Sequence, residues 1–336
     1  MGEVVGAGLL AHVPTIVLPE ADRRELNHGE DSSLVAGLER LRTEVFDTLD
    51  YDTVVVLDSH WATTVEFVVA AQERRSGLFT SEELPRGMCR RPYDFPGDPQ
   101  LAHAVAARAA RHATWITAIE DPELPIFYAT TNLWEYLGRG LPGKRWVSIG
   151  VCQTGDVEDH LRLGRALGDA IAATDRRVVL IASGALSHTF WPLRTLRAHE
   201  AAGVEHIHSP EAAAADLERI DWFGRGEHAR VLAAMPEYAR FKPEARFGHY
   251  LMMIGALGEG DCTAHARRYG EYENAIGTGQ AHLWFDRPAG GFPRPRATVP
   301  DAQDLAVPEF AAAHAAHAHA AADAHLDQNA ESETVR

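Results

Sequence analysis

The sequence predicts an α/β fold: a single domain with a mostly parallel central sheet flanked by helices, followed by a disordered C-terminal tail. Three observations carry this. Two runs, Thr53-Val54-Val55-Val56-Leu57 and Arg177-Val178-Val179-Leu180-Ile181-Ala182, are apolar almost throughout, as strands covered on both faces must be. Segments with helical spacing alternate with strand-like runs along most of the chain. Both runs stop in short polar segments, Asp58-Ser59-His60-Trp61 and Ser183-Gly184-Ala185-Leu186-Ser187-His188. The carboxyl ends of strands are where open α/β sheets hold their ligands.

Taken in order, the first strand covers 4–10 and ends at His12. A polar, turn-rich stretch with Pro19, Asn27, His28 and Gly29 follows. Leu34, Leu38, Leu41, Val45, Phe46 and Leu49 share a helical face over 33–49, with the cap at 31–33. After the strand at 53–57 comes another at 63–71, and Pro85, Pro92, Pro96 and Pro99 mark a long loop. Helix 99–112, strand 113–119, helix 131–137, strand 146–152 and helix 157–173 lead to the strand at 177–182. Helices dominate 210–257, and two strand-like pieces at 263–269 and 280–285 complete a catalytic domain of residues 1–288. The segment 289–336 is Pro- and Gly-rich, then Ala- and His-rich, with His314, His317, His319 and His325. A flexible tail is expected there, although such tracts can take up metal.

Composition narrows the function. The net charge of the 336 residues is −16, which supplies no basic footprint for nucleic acid. No apolar stretch reaches about 18 residues, so no membrane span is expected. Met1-Gly2-Glu3 has no basic character and the apolar run after it is broken by His12 and Pro14, so no signal peptide is expected. Cys89, Cys152 and Cys262 are widely spaced without a CxxC, which suggests neither a disulfide framework nor a zinc knuckle. A cytoplasmic protein follows from these readings.

Three strand ends carry histidine: His12, His60 and His188. One such histidine is ordinarily a hydrogen-bonding loop residue. Three at equivalent ends of one sheet predict convergence on a metal-assisted active site, because neutral imidazole is the commonest protein metal ligand. Two histidines and a carboxylate on one octahedral face serve non-heme Fe(II) oxygenases, and zinc hydrolases use similar sets. Spacing alone does not separate the two metals.

Four pieces in this order and spacing carry a family resemblance: Ala11-His12-Val13-Pro14, Asp58-Ser59-His60-Trp61, the stretch from Ala182 to His188, and Gly277-Thr278-Gly279-Gln280. Asn27-His28-Gly29, Thr80-Ser81-Glu82-Glu83-Leu84-Pro85 and Tyr93-Asp94-Phe95-Pro96-Gly97-Asp98-Pro99 support it. The chain resembles the class III extradiol ring-cleaving dioxygenases, the superfamily of the protocatechuate 4,5-dioxygenase β subunit, over about residues 4 to 287. Within it, the resemblance points to the branch acting on homoprotocatechuate (3,4-dihydroxyphenylacetate), related catechols and aminophenols.

The resemblance implies Fe(II)-dependent cleavage of a catechol-type ring outside its diol, with both atoms of O2 incorporated and a muconic semialdehyde-type product. It implies His12 and His60 as iron ligands. The third ligand is a carboxylate before the helix at 250–257, where Glu244 fits best and Glu237 is the rival. His188 matches the acid/base histidine of the family rather than a ligand. Many relatives carry His-Gly or Tyr-Gly where this chain has Phe127-Tyr128-Ala129-Thr130. Tyr128 is therefore the candidate to hydrogen-bond a substrate hydroxyl or bound oxygen, with half-buried packing as its alternative role.

Asp58 is read either as orienting a ligand imidazole or as a strand-end cap. His28 and His249 read as exposed loop histidines, with lining of the pocket as the alternative. Gly277 to Gln280 reads as a tight turn, since it lacks the Lys and helix start of a phosphate-binding loop. An acidic side arm on the substrate would need a cation; Arg240, Lys242 and Arg246 lie near Glu244 in sequence, with plain surface solvation as their alternative reading. The alternatives are a 2-aminophenol or 3-O-methylgallate substrate, a zinc-dependent hydrolase, or a non-catalytic binder on the same scaffold. The family also implies a homo-oligomer, because neighbouring subunits often complete such sites.

Overall fold

In the computed structural model, which describes residues 1–84 and 87–298, the strands are β1 (Glu3–Leu10), β2 (Thr53–Thr63), β3 (Phe67–Ala70), β4 (Arg74–Phe79), β5 (Arg91–Pro96), β6 (Ile116–Ile119), β7 (Arg145–Cys152), β8 (Arg177–Ser183), β9 (Ala266–Arg268), β10 (Glu273–Ala275), β11 (Thr278–Gln280) and β12 (His282–Asp286). The α-helices are α1 (Glu20–Leu26), α2 (Ser33–Leu41), α3 (Pro99–Ala109), α4 (Tyr128–Leu137), α5 (Val157–Ala172), α6 (Pro210–Gly224), α7 (His228–Ala233), α8 (Met235–Tyr238) and α9 (Gly248–Ala256).

The apolar runs form the middle of an eight-stranded sheet with the order β6-β3-β7-β2-β8-β1-β12-β9. β7, β2, β8 and β1 pair in parallel. Antiparallel pairings lie outside them, at β3 with β7 and at β12 with β1 and β9. The expected α/β domain with a mostly parallel central sheet is borne out.

Burial on both faces explains the continuous apolar sequence. Val54, Val56, Val179 and Ile181 belong to one core layer, with α2 and α4 residues. Val55, Leu57, Val178, Leu180 and Ala182 belong to the other, with residues of α3, α5 and α9. Each fully buried branched side chain contributes about 1.5–3 kcal/mol. Every residue of α9 is buried, so the helix that follows Glu244 is anchored on all sides.

The structure differs from the expectations in four places. The helix at 33–49 passes into a π-helical turn at Arg42–Phe46. The proline-marked loop contains a two-stranded ribbon, β4 with β5, where Pro92 and Pro96 need not donate to a larger sheet. The helical region 210–257 is interrupted between Lys242 and Phe247 by positive φ angles. Residues 289–298 continue along the body: Thr298 Oγ1 accepts from Arg165 Nη1 at 3.2 Å and bonds His112 Nδ1 at 3.0 Å. The Ala/His-rich tail, with His314, His317, His319 and His325, lies outside the described residues. Cys89, Cys152 and Cys262 are all free. Among the described residues, no helix is long and apolar enough to cross a membrane.

Candidate active site

His12 follows β1 and is buried. Its Nδ1 lies 2.9 Å from Ser183 Oγ, at the end of β8. Ser183 has one hydroxyl proton, which goes to the Ala129 carbonyl at 2.7 Å. Ser183 must therefore accept from His12 Nδ1–H, which leaves the lone pair on Nε2. Asn132 of α4 fixes the same residue by donating to the His12 carbonyl at 2.9 Å. Burial holds the His12 pKa down to about 3, with Glu244 opposing, so the imidazole is neutral at physiological pH.

His60 comes from an irregularity in β2. Ladder pairing with β7 jumps from Asp58 opposite Gly150 to Ala62 opposite Val151, so Ser59, His60 and Trp61 bulge out of the sheet. Such bulges re-aim side chains. Asp58 Oδ1 accepts from the amides of His60 and Trp61 at 3.0 and 2.9 Å, while Oδ2 accepts from Thr130 Oγ1 at 2.7 Å. Asp58 thus caps the bulge; of its two expected roles, the structure supports the cap.

Glu244 enters from a turn rather than a strand end, yet the β8 end pins it. Its amide donates to Leu186 O at 3.1 Å and Pro243 bridges Ser187. Ala245, Arg246 and Phe247 then all have left-handed backbones, with φ of 47°, 55° and 66°. Non-glycine residues in this region cost about 1–2 kcal/mol each, and such strain gathers at functional sites. The carboxylate accepts from Ser59 Oγ and the Ala185 amide. Burial pushes the Glu244 carboxyl up, but the facing imidazoles and the His60 hydrogen bond prevail and hold it well below the usual range.

Glu244 Oε1 lies 3.5 Å from His12 Nε2 and 3.3 Å from His60 Nε2. All three donor atoms fall within 4.8 Å of one another, a set that could hold a metal ion. Donors bonded at roughly 2.1 Å to one ion sit about 3.0–3.4 Å apart, so both carboxylate–imidazole separations fit with little movement. Glu237, the rival carboxylate, is exposed and faces Arg240 at 3.7 Å.

Tyr128 begins α4, with its hydroxyl 2.7 Å from His60 Nε2 and donating to Glu83 Oε2 at 2.9 Å. Its proton is used on Glu83, so the phenol oxygen receives the His60 Nε2–H. Burial, and then Glu83, push the Tyr128 pKa upward. On His60 burial acts downward, but the hydrogen bond and charge of Glu244, with Asp58 and Glu83, raise the pKa. His188 is half-buried beside Phe190, ring centroids 4.6 Å apart.

His28 is exposed as expected, but His249 is not: it is fully buried. A Cβ on Gly184 would meet His249 Nε2 at 2.5 Å, so the glycine is what admits this ring. Burial holds the His249 pKa down to about 4. Ser59, Ser183 and Glu83 also escape the sequence reading. Ser59 sits in a quoted motif, but only the bulge turns it toward Glu244.

Residues 6–279 match the family described as the catalytic LigB subunit of aromatic ring-opening dioxygenase. The chain belongs to this family. It is 26% identical to a 3,4-dihydroxyphenylacetate 2,3-dioxygenase of Escherichia coli over 262 residues, which is 77% of this chain and 91% of that enzyme. It is 22% identical over 307 residues to a 2-aminophenol 1,6-dioxygenase beta subunit of Pseudomonas sp, covering 87% of this chain and 97% of the relative. A crystal structure of an uncharacterized protein from Escherichia coli K12 shares the fold, with TM-score 0.56 and 16% identity, over 83% of this chain and 99% of that one. This LigB-family member is an extradiol ring-cleaving dioxygenase, acting on an aromatic substrate with O2. The hydrolase and binding-module alternatives give way to that chemistry.

Proposed function

We propose that the protein is an Fe(II) dioxygenase that opens 3,4-dihydroxyphenylacetate, or a catechol with a similar acidic arm, next to its diol. The observation that carries this is the convergence of His12 Nε2, His60 Nε2 and Glu244 Oε1 on one point. Two imidazoles and one carboxylate leave coordination positions open for substrate and oxygen, as in non-heme iron oxygenases. Iron, when bound there, supplies Lewis acidity to the ring oxygens and a place for O2 beside the ring.

The remaining work falls to the chain. His188 takes the proton that a catechol hydroxyl gives up on binding, and returns it as the ring opens. Tyr128, whose proton goes to Glu83, accepts a hydrogen bond from a hydroxyl of the bound substrate. The burial of His12 and Glu244 keeps water from competing for the site. We also propose a homo-oligomer; Phe190 and Leu193, exposed just beyond His188, offer apolar surface for a second copy.

An acidic arm is supported by a cavity of about 490 Å³ lined by Arg240, Lys242 and His208, with Ser187 and Thr189 on either side of His188 in sequence. Replacing Lys242 by alanine is expected to raise KM for 3,4-dihydroxyphenylacetate about tenfold, the worth of one charge-assisted hydrogen bond. KM for unsubstituted catechol should stay put. Equal effects on both substrates would remove Lys242 from recognition.

The raised His60 pKa gives metal binding a pH dependence. The protonated imidazole stabilises the metal-free protein fully below the ordinary 6.5, and that contribution is lost as pH rises through the raised value. The same proton competes with iron. Fe(II) affinity is therefore expected to fall by up to about tenfold per unit as pH drops below that value. Anaerobic calorimetry checks this, and an affinity flat with pH would contradict it.

The substrate is tested by a screen of catechols, aminophenols and methoxylated gallates with the Fe(II)-loaded protein, read as a yellow ring-fission product. The highest kcat/KM is expected with 3,4-dihydroxyphenylacetate. A preference for 2-aminophenol would overturn that choice, and Glu83 at the Tyr128 edge of the site is the group that would favour it, as an acceptor for the amine.

A further inference from the structure

We infer that Asp216 is a positioning residue for ring cleavage, fixing the backbone that presents His188. Asp216 lies in α6 and is fully buried. Its carboxylate accepts from the Ser187 amide at 3.1 and 3.2 Å, from Ser187 Oγ at 2.6 Å, from Tyr238 Oη at 2.7 Å and from Tyr272 Oη at 2.6 Å. Burying a carboxylate costs several kcal/mol unless its lone pairs are filled. Here neutral donors fill them.

Stability alone does not account for this residue. A buried ionic group is often replaceable by well-packed apolar side chains with no loss of stability. What the carboxylate adds is geometric definition: it grips Ser187 by both main chain and side chain, one residue before His188. The same segment is tied elsewhere. Leu186 N donates to Gly279 O and Gly279 N to Ser187 O, both at 2.9 Å, while His188 N donates to Phe241 O at 3.3 Å. Through Ala185 N on the Glu244 carboxylate, this short stretch also reaches the proposed metal ligand.

The cluster also accounts for a sequence motif with no chemistry of its own. A Cβ on Gly279 would meet Asp216 Oδ2 at 2.0 Å and Tyr272 Oη at 2.4 Å. Gly277-Thr278-Gly279-Gln280 is thus the strand edge against which the Asp216 cluster closes, and the second glycine is the space the carboxylate occupies.

The inference rests on His188 being the proton carrier, and a double-mutant cycle separates the two. Single-turnover ring cleavage and iron content are measured for the iron-loaded wild type, Asp216→Asn, His188→Ala and the double variant. Asp216→Asn is expected to slow the wild type about 10–100-fold, the usual worth of a group that orients a functional side chain, with iron content unchanged. In the His188→Ala background it is expected to cost less than about twofold, because the residue it positions is gone.

An equal loss in both backgrounds, or loss of iron, overturns the inference. A wild-type rate in His188→Ala defeats instead the reading on which it rests. Should the His188→Ala rate be too slow to detect, the pH profile of Asp216→Asn decides: the limb set by His188 shifts if Asp216 positions it and stays if it does not. Should Asp216→Asn fail to fold, Ser187→Ala passes through the same tests, with recovery expected in Ser187→Thr.

Discussion

Replacing Glu244 by alanine is expected to remove metal binding and turnover together. One of its oxygens faces both imidazoles, at 3.5 and 3.3 Å, and no other carboxylate shares that set among the described residues. Groups that merely orient ligands are worth about 10–100-fold in metal affinity, so loss of the ligand itself is expected to exceed 100-fold. The metal-free fold should weaken as well. Ser59 Oγ and the Ala185 amide lose their acceptor, at about 1–3 kcal/mol each, while the left-handed turn at Ala245, Arg246 and Phe247 keeps its strain. Metal stoichiometry after anaerobic loading, with thermal unfolding of the metal-free variant, reads both effects. Glu237→Ala, on an exposed carboxylate, is the control and should change neither. A Glu244→Ala protein that still binds one metal ion would remove Glu244 from the ligand set.

His188→Ala is expected to lower kcat about 10²–10⁴-fold, the range for loss of a general acid/base, with metal content unchanged. His188 lies on the segment that anchors Glu244, but its ring is not among the converging donors. Loss of metal in this variant would make His188 a ligand; a retained kcat would mean that another group moves the proton.

The fold was largely legible because its centre is buried on both faces. Residues 54–57 and 178–182 include no polar side chain, and the chemistry begins with the polar residues just beyond them. His12 and His60 were legible for the same reason. Glu244 was harder. Its loop has no glycine where Ala245 to Phe247 adopt positive φ, so local propensity gives no sign of the turn, and only the bonds to Leu186 and Ser187 show what fixes it. The β2 bulge was hidden because Asp58-Ser59-His60-Trp61 reads equally well as a loop beyond a finished strand. The β4–β5 ribbon was masked by its own prolines. His249 was misjudged because its burial depends on Gly184, some sixty residues away in sequence.

His12, His60 and Glu244 are proposed to hold iron for oxygen-dependent ring opening. The most direct test is oxygen consumption against product by metal-free protein reloaded anaerobically with Fe(II) or Zn(II), mixed with 3,4-dihydroxyphenylacetate and then exposed to air. One O2 is expected to be consumed per ring opened with Fe(II), and neither oxygen uptake nor yellow product is expected with Zn(II). Ring opening supported by Zn(II), or proceeding without oxygen uptake, would contradict it.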